Sequence, residues 1–212
     1  MATGAENNQA VWSAIVLAAG AGRRFGGRKL LATFEGGPLI EGALRAAFAS
    51  PASTVILVTG SDAEDVAEVA RAFAERQGKR QRLQIVHAAD HGEGMGASLR
   101  AGAEALAADT AGTFVLLGDM PKVPAALLPR LVEAVEAGAA AAAPACGGRR
   151  GHPVLFGAEL LDHLRQAAGD EGARAALAGL GPRLAHIETD DEGVLFDVDR
   201  PEDLAGSGHG SE

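Results

Sequence analysis

The sequence predicts an α/β chain: a single Rossmann-like, three-layer domain on a mostly parallel, mixed sheet. Three observations carry that reading. Short apolar runs recur with amphipathic stretches between them, the alternation that builds sheets covered on both faces. The 212 residues suffice for one substantial core and are too few for two comfortable domains. Hydrophobic residues at 47% and charged residues at 22% are ordinary globular proportions.

Residues 11–19 form the first predicted strand, an apolar run that stops abruptly at Gly20. Residues 39–49 read as a helix, 54–59 as a strand, and 63–77 as a helix with Asp62 placed to cap it. A strand at 83–87 is followed by a helix at 95–107 and a strand at 113–117. Next come a helix at 125–137, with Pro124 suited to its first turn, and a weak alanine-rich strand at 139–143. After Pro144 the pattern loosens into strands at 153–156 and 184–188 and helical stretches at 158–168 and 173–180. The predicted domain covers 11–204, with a break near Pro144 between its halves, 11–143 and 144–204. Residues 1–10 lack the basic-then-apolar build of a secretory leader. They and the glycine- and serine-rich stretch 205–212 are expected to be disordered.

Formal charge is −9, which argues against a general surface for nucleic acid or anionic membrane. No apolar run approaches the roughly 18–20 residues of a membrane span. The lone Cys146 allows neither an internal disulfide nor a cysteine-based zinc site and suits a reducing cytoplasm.

The cations that exist are concentrated. Just past the first strand, Gly20, Gly22, Gly26 and Gly27 are interleaved with Arg23, Arg24, Arg28 and Lys29. Glycine lets backbone N–H groups approach a ligand and adopt positive φ, and the cations match phosphate. A solvated strand-to-helix turn has the same composition. The position favours a phosphate loop, because open α/β sheets bind ligands at the carboxyl ends of their strands. It is not a Walker loop: after Gly22 and Gly27, Arg28 stands in the lysine place and Lys29-Leu30 offers no hydroxyl. Nor is it a dinucleotide fingerprint, since the third glycine falls one place late at Gly26 and Asp62 is too distant.

Leu17-Ala18-Ala19-Gly20-x-x-x-Arg24-Phe25-Gly26-x-x-Lys29 resembles the opening motif of the sugar-nucleotidyltransferase-like superfamily. Within it, the stretch is most similar to the molybdenum cofactor cytidylyltransferases and their relatives. The resemblance implies a nucleotidyltransferase-type fold in which Leu17, Ala18, Ala19, Gly20, Ala21 and Gly22 wrap the nucleotide. It implies too that Arg24 and Lys29 neutralise the triphosphate and act in catalysis. Leu-Ala-Ala-Gly leans toward CTP, since the guanylyltransferases of the group tend to carry Leu-Ala-Gly-Gly.

Five further segments extend the resemblance to Leu204. Asp119 follows an apolar strand within Gly118-Asp119-Met120-Pro121. Alone it reads as a turn aspartate or as a carboxylate facing the same crevice as the loop. The resemblance implies a catalytic magnesium ligand. Asp199, in Asp197-Val198-Asp199-Arg200-Pro201-Glu202-Asp203, is placed to cap a final helix. The similar family ending, with threonine where this chain has Arg200, implies a second Mg2+ ligand. Gly94-Met95-Gly96-Ala97-Ser98-Leu99 opens a helix, and the resemblance makes Gly94 and Ser98 nucleotide-binding. Just upstream, Ala88-Ala89-Asp90-His91 stands where relatives often show Asn-Pro-x-Trp. Gly151-His152-Pro153 and Gly169-Asp170-Glu171-Gly172-Ala173-Arg174 imply acceptor-binding roles for His152, Asp170 and Arg174, otherwise an exposed histidine and a helix-end ion pair. Arg149 and Arg150 meet an acceptor phosphate or solvate a turn.

By resemblance, residues 11–143 are the nucleotide half and 144–204 the acceptor half. The implied reaction is magnesium-dependent transfer of CMP from CTP to a phosphate monoester, Mo-molybdopterin, giving its cytosine dinucleotide and pyrophosphate. A molybdenum hydroxylase is the implied transient partner. The alternatives are a relative using GTP or another phosphorylated acceptor, and a non-catalytic molybdenum-cofactor or nucleotide-binding accessory protein.

Overall fold

The computed structural model describes residues 10–170 and 172–207. The expected disordered start, up to residue 9, and the end of the expected tail, 208–212, lie outside the described residues, as does Glu171. Residues 205–207 belong to a closing 3-10 turn, Pro201–Ser207.

The apolar runs become strands where expected. They are β1 (Val11–Ala18), β4 (Thr54–Thr59), β5 (Leu83–His87), β6 (Thr110–Leu117), β7 (Ala141–Cys146), β9 (Val154–Gly157) and β10 (Leu184–Glu188). Short pieces add a β2–β3 hairpin (Thr33–Phe34, Gly37–Pro38) and β8 (Arg149–Arg150). The main sheet runs β10-β7-β9-β6-β1-β4-β5, with β8 beside β7. Pairs β6–β1, β1–β4, β4–β5 and β7–β10 are parallel, whereas β9 runs antiparallel to both β6 and β7. The sheet is therefore mixed and mostly parallel, as the sequence predicts.

Strand β1 is central and buried on both faces, which explains its unbroken apolar run. Ala14, Val16 and Ala18 pack in one cluster with α1 (Ile40–Ala49), α2 (Ala63–Arg76) and α4 (Leu127–Glu136), through Leu44, Phe73 and Leu131. Ile15 and Leu17 pack in the other with α3 (Met95–Glu104) and α5 (Leu161–Arg165), through Leu99, Leu161 and Leu164. A fully buried side chain of this size contributes about 1.5–3 kcal/mol, so the alternation along β1 fixes its register.

Several local expectations are corrected. Asp62 precedes α2 but makes no side-chain capping bond; Glu64 and Asp65 in the first turn supply the negative charge instead. Helix α4 begins at Leu127, three residues beyond Pro124. The expected helix at 158–168 shortens to a 3-10 turn and α5, and that at 173–180 to α6 (Arg174–Leu177). Pro144 lies inside β7, paired with Ile187, where the strand's antiparallel neighbour changes from β9 to β8.

The carboxyl ends of β1, β4, β5 and β6 lie along one edge of the sheet, so the segments leaving them share a crevice. One of these segments is set by helix packing. A Cβ on Gly42 of α1 would lie 2.5 Å from the Cα and carbonyl oxygen of Pro121, two residues beyond Asp119. Gly42→Ala is therefore expected to cost about 1–3 kcal/mol in urea denaturation, because backbone rather than a flexible side chain must move. Gly92→Ala, with open space around its Cβ, is expected to stay within about 1 kcal/mol of wild type; equal effects would refute the close packing.

Candidate active site

The loop after β1 turns on a single carbonyl. The N–H groups of Phe25, Gly26 and Gly27 donate to Gly22 O at 3.0, 3.1 and 3.1 Å. Gly22 has φ +57°, and a Cβ there would sit 2.9 Å from Lys29 Cβ, so the tight return requires glycine. The expected glycine cradle is thereby narrowed, because the amides of Phe25, Gly26 and Gly27 are consumed inside the loop. Those of Gly20, Ala21 and Gly22 have no acceptor among the described residues.

Lys29 opens a 3-10 turn anchored by buried Leu30, and its side chain is 12% exposed. Its Nζ lies 2.6 Å from Asp119 Oδ2 and 3.6 Å from Asp199 Oδ1. Arg24 is far more exposed and donates to Asp199 Oδ2 at 3.0 Å. Asp119 sits just beyond β6, where Gly118 N–H donates to Leu17 O at 2.9 Å and continues the β1–β6 ladder. Asp199 arrives from the carboxyl-terminal segment, held by buried Val198, whose N–H donates to Asp119 O at 3.0 Å.

The capping expectation for Asp199 is reversed. Asp203 Oδ2 accepts from the N–H groups of Asp199 and Arg200 at 2.9 and 2.7 Å. Those bonds hold Asp203 below the ordinary carboxylate range, and the Asp199 carboxylate is left to face the loop. Asp197, two residues earlier, was missed as a site residue. Its pKa is raised, first by desolvation and then by the Asp119 and Asp199 carboxylates. Its signal in the sequence was alternation: in an extended Asp-Val-Asp with the valine buried, both acids share the other face.

A cavity of about 440 Å³ opens beside these groups. Leu17, Ala18, Leu30, Met95 and Leu117 make its apolar wall, and Lys29, Asp119, Ser98, His91 and Asp170 its polar one. Of the predicted nucleotide-binding residues, Leu17, Ala18, Ala19, Gly20, Gly22, Lys29, Gly94 and Ser98 line it. Ala21 is exposed on the loop, and Arg24 reaches the site through Asp199. Asp170, predicted with the acceptor, lines this same cavity. Leu30, His91, Met95 and Leu117 also line it without a predicted role; Met95 and His91 stand in stretches the sequence marks, whereas Leu30 and Leu117 read as ordinary core leucines. His91 belongs to the divergent 88–91 stretch, which an Asp90–Arg100 ion pair ties to α3.

His152 and Arg174 lie outside the cavity lining. His152 is half-buried, and its Nδ1 is enclosed with no hydrogen-bond partner among the described residues. Its pKa is lowered from 6.5 to about 4, chiefly by desolvation and then by the Arg150 charge, with Asp119 opposing. It is neutral at physiological pH.

An open sheet of this order, with a basic loop and acidic strand ends at its carboxyl edge, has the architecture of a nucleotidyltransferase. The chain belongs to the MobA-like NTP transferase domain family, whose model matches residues 14–187. Over 190 residues it is 26% identical to the molybdenum cofactor cytidylyltransferase of Escherichia coli strain K12, covering 90% of this chain and 92% of the relative. It is 30% identical over 192 residues to the purine catabolism protein PucB of Bacillus subtilis strain 168, covering 89% and 92%. Among solved structures, the Rv0371c homologue of Mycobacterium sp. strain JC1 matches with a TM-score of 0.76 and 27% identity, over 92% of this chain and 95% of that one.

The His152 shift has a measurable consequence. With the folded pKa below the unfolded one, its contribution to stability is complete above 6.5 and is lost as pH falls through about 4. That loss is expected to reach about 3 kcal/mol. His152→Gln should therefore lose correspondingly less stability than wild type in urea denaturation between about pH 7 and pH 4. Identical acid sensitivity would place the burial penalty elsewhere.

Proposed function

We propose that the protein transfers CMP from CTP to a phosphate monoester, Mo-molybdopterin, releasing pyrophosphate. The observation that carries this reading is Lys29 joined to Asp119 and Asp199 beside the cavity, with the unengaged amides of Gly20, Ala21 and Gly22 adjacent. Phosphates need the cation and the amides, whereas the paired acids suit a hard divalent cation. The choice of CTP and of acceptor is supported by Leu17-Ala18-Ala19-Gly20 and by 26% identity to the E. coli cytidylyltransferase.

In the reaction, an oxygen of the acceptor phosphate bonds to the α-phosphorus of CTP as the bond from that phosphorus to the bridging oxygen breaks. The acceptor is already anionic, so no strong general base is required. The protein's work is positioning and charge stabilisation. Lys29 and Arg24 bind the phosphates that leave as pyrophosphate, and the amides of residues 20–22 orient them. The residues fit a divalent ion in kind: Asp119 and Asp199 converge on one ammonium group, and a pair of carboxylates completed by phosphate oxygens is a donor set that a hard cation takes. Asp119 and Asp199 would hold Mg2+, which supplies charge neutralisation across the phosphates. His152 and Arg174, the predicted acceptor residues outside the cavity lining, flank the acceptor. The product serves a molybdenum hydroxylase, met transiently in the cytoplasm. Among the described residues no helix is long and apolar enough to cross a membrane.

A second reading rests on the 30% identity to a purine catabolism protein: the same nucleotide site serving a different phosphorylated acceptor, with GTP in place of CTP or without turnover.

Pyrophosphate release is to be measured with magnesium and each of CTP, GTP, ATP and UTP, with and without Mo-molybdopterin. Release from CTP only when Mo-molybdopterin is present is the expected result; release with GTP alone, or none, would overturn the assignment. Asp119→Ala is expected to lower turnover by about a hundredfold or more while CTP binding, followed calorimetrically, largely survives. Wild-type turnover in that variant would remove Asp119 from the chemistry.

A further inference from the structure

Two segments far apart in sequence close on each other at the start of α3. The N–H of Gly96 donates to Gly169 O at 2.8 Å, and Arg100 Nη1 donates to Ala167 O at 3.0 Å. The approach requires glycines on the helix side. A Cβ on Gly96 would lie 2.4 Å from the carbonyl carbon of Ala168, and one on Gly94 only 2.6 Å from Asp170 Oδ1. The Gly94-Met95-Gly96 stretch is thus shaped to receive residues 168–170, and that contact brings Asp170 to the cavity. Its carboxylate has neither an ion pair nor a hydrogen bond among the described residues. Ser98 lines the same wall, and its hydroxyl makes no hydrogen bond among the described residues.

We infer that Asp170 reads the nucleoside: its carboxylate accepts a hydrogen bond from a donor group on the bound nucleotide. This rests on the nucleotide reading of the cavity given above. An ionised carboxylate only accepts, so its ligand must present an N–H or O–H group. The triphosphate presents none and is repelled by negative charge; it belongs with Lys29 and the loop amides. What remains of the nucleotide has such donors in two places, the ribose hydroxyls and the exocyclic amine of cytosine. The largely apolar wall of Leu17, Ala18, Met95 and Leu117 suits the flat faces of a base and sugar. Asp170 is exposed in the unliganded cavity; a nucleoside seated against it covers the carboxylate, and one that lacks the donor covers it without pairing it.

The test is calorimetric binding of CTP, dCTP and UTP, with magnesium, to wild type, Asp170→Asn and Asp170→Ala. The isosteric asparagine variant must melt with the wild-type protein. Asp170→Ala is expected to weaken CTP about tenfold to a hundredfold. If the donor is a ribose hydroxyl, wild type prefers CTP to dCTP and the variant does not. If it is the exocyclic amine, the preference that collapses is CTP over UTP. Unchanged CTP binding with a raised KM for the acceptor would return Asp170 to the acceptor and overturn this inference alone. Failure of the wild-type protein to bind any of the three would overturn the nucleotide reading with it.

Discussion

The site depends on one shared ammonium group. Lys29 Nζ lies between Asp119 and Asp199 and joins the ends of three segments: the loop after β1, the turn after β6 and the closing stretch of the chain. Two carboxylates brought together without it would repel, and the raised pKa of Asp197 beside them registers that field. The pairing is partly buried, so solvent screens it less than the exposed Arg24–Asp199 bridge beside it. Elsewhere the glycine-rich loop is held by Phe25, packed against the core, and by the exposed Arg28–Asp65 bridge to α2. The Lys29 contact makes the region responsive to ligand charge. On the function proposed above, phosphates would compete for the lysine and a divalent cation for the acids, and the two arriving together would exchange one balanced set of charges for another.

The layout of strands and helices was legible because burial on both faces leaves an unmistakable mark. No polar residue interrupts Ala14 to Ala19, and the strands at 54–59 and 83–87 match their predicted bounds. What could not be read was the neighbour of each strand. Nothing in Val154 to Gly157 says that it lies antiparallel between β6 and β7. Pro144 is a strand breaker by propensity, yet tertiary pairing with Ile187 overrides it. Local signals also mislead where two residues compete for one role. Asp199 and Asp203 each suit the final turn, and only the fold determines that Asp203 reaches back to the two amides.

The site was legible to the extent that its chemistry is charged. Lys29, Asp119 and Asp199 announce themselves by type and position at the ends of apolar runs. The apolar side of the cavity is silent in sequence, since Leu17, Leu30 and Leu117 resemble any core leucine until the space beside them is seen. The loop glycines were legible as a class but not in function. Gly22 returns the chain over Lys29, whereas the amides of Gly26 and Gly27 serve the loop itself. Arg100 reads as one more helix cation, and in the fold it ties both the 88–91 stretch and Ala167 to α3.

The order of segments along the chain is not their order around the site. Asp199, near the end of the chain, completes the charge cluster begun by Lys29 near its start. Asp170 shares a wall with Gly94 and Ser98, although its sequence neighbours Ala173 and Leu177 pack beneath α3 and α5 as ordinary core. These crossings follow from the topology. After β6 the chain crosses to β7, doubles back through β9 into the place beside β6, and then crosses to β10 outside β7, so several later connections return to the carboxyl ends of the earlier strands. Asp170 and Asp199, carried by those segments, reach the crevice at the end of β1, whereas His152 and Arg174 lie outside the cavity lining. A net charge of −9 sharpens the consequence, because an anionic nucleotide finds attraction only where cations are gathered. At the carboxyl end of β1 that gathering is Arg23, Arg24, Arg28 and Lys29. On the function proposed above, that draws the phosphates of a nucleotide to the loop and leaves its uncharged remainder to the walls that α3 and residues 168–170 build together.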